Sequence, residues 1–343
     1  MPDMQNGSRT VVVNDALSFS VPDGEIILDA ALSQGIALPH QCRGANCGMC
    51  KARVREGSVD NGWSLGLAIS GEELAEGYCL MCQARPTSGS VRLETVQPLP
   101  GGDGSPVMSF DARVLCNTSL TPRVKRVVLE VPAELDFAAG AGAYVELELP
   151  GLAPNRRYSL AAGPARSGHI ELLVAKHPGG AASGYIHEML RPGDVVPVSG
   201  PYGTCRLPEG EGPVLGLAGG TGLAPVLSIM EDALARGDAS PMRLMLSVRD
   251  DSELMLLDRL SGLARSHANF SYALLVTEAP SRFCNRRQYA PSWLREEYPR
   301  LAGWRAVIGG SPGFVAACSD TCVSMAMAQE HISSDSFSPV AAA

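Results

Sequence analysis

No part of the sequence runs for the roughly eighteen apolar residues that a membrane-crossing helix needs; the nearest stretch, residues 215–230, is broken by glycines and a proline. Basic charge is also scarce. Lys and Arg number 28 against 36 Asp and Glu, and the net charge of −8 argues against a nucleic-acid partner. Residues 1–10 are polar and carry no apolar core of the kind found in a secretory leader. The six histidines are scattered and never pair at metal-ligand spacing. What the chain does have is a 45% hydrophobic fraction, which excludes a disordered protein, together with 37 glycines and 25 prolines to punctuate many turns. Its 343 residues are enough for two or three domains. The expectation is a cytoplasmic protein with neither membrane nor nucleic acid as partner.

Ten cysteines in such a chain point to a reducing interior, where thiols bind metal or lie buried. Three of them, Cys42, Cys47 and Cys50, stand at C-x4-C-x2-C spacing in a glycine-bearing loop, and Cys82 follows after 31 intervening residues. Four thiolates in this plant-type spacing suit a [2Fe–2S] cluster, and Gly44 and Gly48 let the backbone wrap it closely. Two rival readings stand beside this one. A structural zinc site would take Cys79 and Cys82 as its second C-x2-C pair, and a disulfide framework would need an oxidising compartment.

Residues 9–97 read as a small α+β unit. Thr10–Val13 and Leu17–Val21 form a hairpin turning at Asn14-Asp15, Ile26–Gln34 a helix stopped by Gly35, and Lys51–Arg55 and Val91–Thr95 further strands. With the cysteine loop, this unit resembles a plant-type ferredoxin domain, a β-grasp fold. That family sets its fourth ligand in Leu-x-Cys-Gln, which matches Leu80-Met81-Cys82-Gln83 and leaves Cys79 a bystander. Residues 98–106, rich in proline and glycine, read as a linker. Residues 107–209 are then mostly short strands bounded by Gly and Pro, which suits a closed antiparallel barrel with one helix at Ser183–Arg191. Arg156-Arg157-Tyr158-Ser159-Leu160 ends one strand, and Pro178-Gly179-Gly180-Ala181-Ala182-Ser183 puts a glycine turn at a helix N-terminus, a ready anion site.

From residue 212 to 337 strands alternate with helices, the pattern of a doubly wound parallel α/β sheet. Ala218-Gly219-Gly220-Thr221-Gly222-Leu223 joins its first strand to a helix, where glycines let backbone approach a pyrophosphate. Gly309-Gly310-Ser311-Pro312 ends a later strand, on the edge where a nicotinamide should lie. Behind the second strand, Arg249 could take a 2′-phosphate, whereas Asp250, Asp251 and Glu278 would repel one; the balance points to NADH, with NADPH possible. Some features are given plain structural readings: Cys318 and Cys322 as core thiols, Cys116, Cys205 and Cys284 as small hydrophobes, His187 as surface or core, and Glu72, Glu73 and Glu76 as a solvated face.

The order ferredoxin, flavin barrel, nicotinamide domain resembles the reductase components of bacterial aromatic-ring-hydroxylating dioxygenases, built on the ferredoxin–NAD(P)+ reductase superfamily. The resemblance implies FAD, a [2Fe–2S] cluster and a nicotinamide. It assigns the flavin pyrophosphate to Arg156, the isoalloxazine to Tyr158 and its N5 to Ser159, and adds Leu160, Val174, Lys176, Gly179, Gly180 and Ser183 to the flavin site. The nicotinamide falls to Gly219, Gly220, Thr221, Gly222, Gly309, Gly310 and Pro312, with Phe337 covering the flavin. A terminal Rieske oxygenase or a small ferredoxin is the implied acceptor. Reductases of diiron monooxygenases and of a deoxysugar-forming system share this order of modules, and a redox-sensing flavo-iron–sulfur protein is a further alternative. One departure stands out. Relatives usually read Cys-Gly-x-Pro where this chain has Gly309. The expectation is slower hydride transfer, partly compensated by Ser159 and Phe337 and raised by restoring Cys at 309.

Overall fold

The computed structural model describes residues 7–40, 44–45, 48–62, 68–97, 99, 107–135, 137–162, 168–203, 205–278, 281–283 and 288–337. They fall into two compact units. One runs to Val107 and takes in Tyr202 and Gly203; the other comprises Met108–Pro201 and Cys205–Phe337.

In the first unit, β1 (Ser8–Val13) and β2 (Leu17–Pro22) make the expected hairpin. Asn14 and Asp15 sit in the left-handed region at φ 53° and 54°, the geometry a two-residue turn between twisted strands demands. Helix α1 (Ile27–Ser33) buries Ile27, Leu28, Ala30 and Ala31 and stops before Gly35, which takes φ 72°. Then come β3 (Lys51–Glu56), β4 (Val59–Asp60), α2 (Gly71–Ala75), β5 (Tyr78–Leu80), β6 (Arg85–Pro86) and β7 (Ser90–Thr95). The main sheet has the order β2-β1-β7-β3-β5, with β1 and β7 parallel, and a small β4-β6 ladder stands apart. Val11, Val13, Leu28, Met81 and Val91 are fully buried between α1 and this sheet. This is a β-grasp arrangement.

The second unit opens with β8 (Met108–Ser119), β9 (Val124–Glu130), β10 (Tyr144–Leu149), β11 (Leu152–Ser159), β12 (His169–Ala175), α3 (Ala181–Glu188) and β13 (Val195–Tyr202). Sheet order is β11-β10-β13-β8-β9-β12, and a bridge between Leu160 and Leu172 brings the two edges together into a near-closed antiparallel barrel. After it follow β14 (Val214–Gly219), α4 (Leu223–Ala235), β15 (Met242–Val248), α5 (Leu257–Ser266), β16 (Phe270–Val276), α6 (Ala290–Glu297), β17 (Arg305–Gly310), α7 (Pro312–Ser324) and β18 (Ile332–Ser336). These five strands are all parallel, in the order β16-β15-β14-β17-β18, a doubly wound sheet whose order reverses at β14.

The sequence suggested a helix over 253–267. Instead a single turn at Asp251–Glu253 is followed by Leu256 at φ 55°, and α5 begins at Leu257. That break lets Met255 bury while Leu254 and Leu257 reach the same core. Barrel and parallel sheet, read from sequence as separate domains, pack as one unit. Val124, Ala161 and Leu173 of the barrel share a core with Leu223, Ile229 and Met230 of α4. Arg259 on α5 donates to Glu231 at 2.6 Å and to Glu171 of the barrel at 3.3 Å, and Glu171 also accepts from Arg126 at 2.8 Å. Among the described residues, no helix is long and apolar enough to cross a membrane.

Candidate functional site

The two described cluster cysteines, Cys50 and Cys82, are both buried. Met81 N–H donates to the Cys50 carbonyl at 3.0 Å, so the backbone holds the two segments side by side. Gln83 Nε2 donates to the Cys82 carbonyl at 2.7 Å and points at its sulfur at 3.9 Å. Such a donor to a ligand sulfur suits an iron–sulfur centre, and two buried thiols brought together by backbone fit the group. Gly48 takes φ 72° two residues before Cys50. Cys42 and Cys47, the other expected ligands, lie outside the described residues. Cys79 is fully buried on β5, and burial pushes its thiol up to about 12, with the neighbouring Cys82 adding to the rise.

On β11, Arg156 pairs with Leu147, Tyr158 with Val145 and Ser159 with Tyr144. Strand alternation puts Arg156 and Tyr158 on one face and Ser159 on the other. Burial pushes the Tyr158 phenol up, and the neighbouring Arg156 charge works against that. Ser159 is buried and donates its hydroxyl hydrogen to Asp335 Oδ2 at 2.6 Å, reaching from barrel to the last strand of the parallel sheet. Leu160 continues into the barrel core.

Ser183 shapes the loop that opens α3. Its hydroxyl accepts from His177 N–H at 3.1 Å and donates to the Gly180 carbonyl at 3.1 Å, so it is spent on shaping the loop. Gly179 takes φ 70°, and a Cβ at Gly180 would lie 2.7 Å from Ser183 Oγ. The tight turn leads into the amides that open α3, the kind of group that can face an anion. Lys176 is paired with Glu188 at 2.7 Å, and the Val174 carbonyl accepts from His187 Nε2 at 2.9 Å.

At the nicotinamide edge the glycines have separate tasks. Gly220 takes φ 54° in the single turn Gly220–Gly222 that carries Thr221. Gly219 and Gly310 lie under the Phe314 ring, where an added Cβ would come within 3.0 and 2.9 Å of it. Gly222 and Gly309 meet backbone to backbone. A Cβ on Gly309 would overlap the Gly222 carbonyl oxygen, and one on Gly222 would lie 2.5 Å from Gly310 N. A side chain at 309, the family's cysteine included, therefore needs the Gly219–Gly222 turn to move. Pro312 opens α7, capped by Ser311. Phe337 N–H donates to the Gly310 carbonyl at 2.8 Å, and Asp335 pairs with Gly309 in the ladder. Ser159, Gly222, Gly309, Gly310 and Phe337 are thus linked through Asp335 and the β17–β18 ladder. Asp335, Phe314 and Glu253 were not picked out from sequence; Asp335 stood in plain view in Ser333-Ser334-Asp335-Ser336-Phe337, beside a residue already chosen.

Comparison with known proteins gives the same three parts. Residues 11–87 match the 2Fe-2S iron-sulfur cluster binding domain, 111–207 the oxidoreductase FAD-binding domain and 217–320 the oxidoreductase NAD-binding domain. The reductase subunit of the aromatic O-demethylase of Amycolatopsis sp. (strain ATCC 39116 / 75iv2) is 33% identical over 321 residues, 92% of this chain and 95% of that one. The chain belongs to the oxygenase-reductase family. The reductase component DmpP of the phenol 2-monooxygenase of Pseudomonas sp. (strain CF600) is 37% identical over 262 residues, 76% of this chain and 74% of its own length. The naphthalene 1,2-dioxygenase system reductase of Pseudomonas putida is 31% identical over 333 residues, 95% and 97% of the two chains. The crystal structure of Amycolatopsis cytochrome P450 reductase GcoB superposes with a TM-score of 0.83 at 32% identity, covering 96% of this chain and 99% of that one. The protein is an NAD(P)H oxidoreductase that passes electrons through FAD and a [2Fe–2S] cluster.

Proposed function

We propose that the chain draws electrons from NADH and delivers them to the oxygenase component of an aromatic-ring-oxidising system, or to a small ferredoxin that serves it. The reading of the acceptor rests on relatives that are reductase components of phenol, O-demethylating and naphthalene systems. A cytoplasmic setting accords with Cys79, Cys205, Cys318 and Cys322 being buried thiols outside any disulfide. The donor reading rests on Asp250 and Asp251, which follow β15 and would repel a 2′-phosphate.

FAD supplies the exchange between a two-electron donor and a one-electron cluster. The chain's own residues bind and orient. Arg156 meets the flavin pyrophosphate together with the amides that open α3, and Tyr158 packs along the ring system. Ser159 presents its oxygen at the reacting edge. Gly309 and Gly310, whose backbones leave no room for side chains, would let the nicotinamide approach closely, with Phe337 held to Gly310 beside them. Cys42, Cys47, Cys50 and Cys82 hold the cluster.

The observation that carries this reading is the buried Ser159–Asp335 hydrogen bond, which joins the flavin-facing strand to the nicotinamide edge at 2.6 Å. It ties the strand that carries Arg156 and Tyr158 to the strand beside Gly309 and Gly310. The experiment that tests it is Arg156→Ala. Losing a charge-assisted contact to phosphate costs about 1.5–3 kcal/mol, so the variant should release FAD on dilution while keeping its iron. Flavin retention equal to wild type would remove Arg156, and the binding face with it.

A further inference from the structure

The run behind β15 holds one base among several acids: Arg249, Asp250, Asp251 and Glu253, with Glu278 after the next strand. In a doubly wound sheet this is where the adenosine ribose is read. Arg249 is the one cation in that run able to meet a 2′-phosphate, and its guanidinium is already engaged. Nε donates to Glu253 Oε2 at 3.2 Å and Nη2 donates to Oε1, a two-point fork. Arg249 N–H reaches the same carboxylate at 3.3 Å.

Glu253 is the fixed member of the pair. Its side chain is 14% exposed, against 42% for Arg249. It ends the turn Asp251–Glu253, which Asp250 caps by accepting from Ser252 N–H at 2.8 Å. Arg123, from the turn between β8 and β9, lies 3.8 Å from it on the barrel side. Asp251 is occupied separately, accepting from Ser281 Oγ at 2.5 Å and from Arg282 N–H at 2.9 Å. The charges that face Arg249 from its surroundings are therefore Glu253, Asp250 and Glu278, all negative. A guanidinium that grips a carboxylate with two N–H groups has used the same planar fork with which it would grip a phosphate.

We propose that Glu253 is the specificity-determining residue for the nicotinamide donor: by holding Arg249 it denies the 2′-phosphate of NADPH a cation and leaves a site suited to the ribose diol of NADH. The proposal rests on the reading that the nucleotide's adenosine half lies at this edge.

Glu253→Gln in the full, FAD-loaded chain keeps the shape and removes the charge. Calorimetry with 2′,5′-ADP should show binding about tenfold tighter than wild type, the scale of one hydrogen bond to a charged group, with 5′-AMP unchanged. The ratio of kcat/KM for NADPH over NADH should move by a similar factor, mostly through KM. Adding Arg249→Ala to Glu253→Gln should abolish the gain. An unchanged 2′,5′-ADP to 5′-AMP ratio in the single variant, equal loss of both ligands, or a gain that survives in the double variant would each overturn the proposal. A wild-type enzyme that favours NADPH would instead overturn the NADH reading beneath it.

Discussion

The ferredoxin unit and the flavin–nicotinamide unit prepare their electron-transfer sites from opposite materials. In the first the site is made of side chains: Cys50 and Cys82 are buried, backed by the Met81–Cys50 backbone bond, with a Gln83 amide at one sulfur. In the second the nicotinamide edge is made by leaving side chains out. Gly219, Gly222, Gly309 and Gly310 each stand where a Cβ would strike a neighbour. The difference follows from what is bound. A cluster needs thiolate ligands, whereas a dinucleotide needs flat backbone and amides at close approach.

The largest effect should come from the side-chain site. Cys82→Ser removes a ligand and should abolish or severely impair cluster assembly, seen as loss of the visible iron–sulfur absorption. Cys79→Ser should leave that absorption intact, because Cys82, set in Leu80-Met81-Cys82-Gln83 with the Gln83 amide at its sulfur, is the fourth ligand and Cys79 lies on β5 outside that setting. Loss of the cluster in Cys79→Ser with retention in Cys82→Ser would reverse the assignment and revive the zinc-type pairing of Cys79 with Cys82.

The backbone site should respond to an addition. Gly309→Ala and Gly309→Cys both place a Cβ against the Gly222 carbonyl, which is main chain and yields only if the glycine turn shifts. A displacement of about 1 Å in a reacting geometry can cost on the order of a hundredfold. Stopped-flow reduction of bound FAD by NADH should slow by that order in both variants, with flavin-to-cluster transfer unaffected. Faster reduction in Gly309→Cys would show that the turn moves freely and that glycine at 309 is a missing thiol, the reading the sequence alone favoured.

How far each site was legible follows from the same contrast. Cysteine spacing carries its own meaning, so the ligand set could be read from Cys42, Cys47, Cys50 and Cys82 without a fold. The strands were legible too, because apolar alternation and Gly or Pro boundaries set most of them to within a few residues. The glycine motifs announced a backbone approach but not the partner: that Gly222 meets Gly309 depends on β14 and β17 lying side by side, which is a property of the sheet order. The weak strand β18, reading Ile332-Ser333-Ser334-Asp335-Ser336, was missed because its polar residues are satisfied across the barrel, as Ser159 does for Asp335. Arg249 looked available because the turn that brings Glu253 back onto it was read as regular helix.

The smallest predicted effect separates the two units by pH. His187 on α3 is held through Nε2 to the Val174 carbonyl. Burial lowers its pKa below the ordinary 6.5; the Val174 bond opposes this, and Lys125 and Lys176 add to it. A histidine whose folded pKa is depressed binds its proton more readily when unfolded. Its neutral form costs nothing above pH 6.5, and a penalty opens as pH falls below 6.5 and is complete once the folded pKa has been passed. In the ferredoxin unit the corresponding group is Glu73, lowered by its 2.5 Å bond to Lys51, and its contribution is lost only as pH falls below the ordinary 4.5. Both groups are only partly buried, so each effect is modest. Between pH 7.5 and 5.5 the flavin-bearing unit should therefore lose stability while the Glu73–Lys51 pair holds. Flavin fluorescence on heating should report a falling Tm over that range. In His187→Gln, whose amide can still donate to Val174 but does not titrate, the fall should be smaller. An equal fall in wild type and variant would mean that α3 is not what acid loosens, and that the two units do not differ in this way.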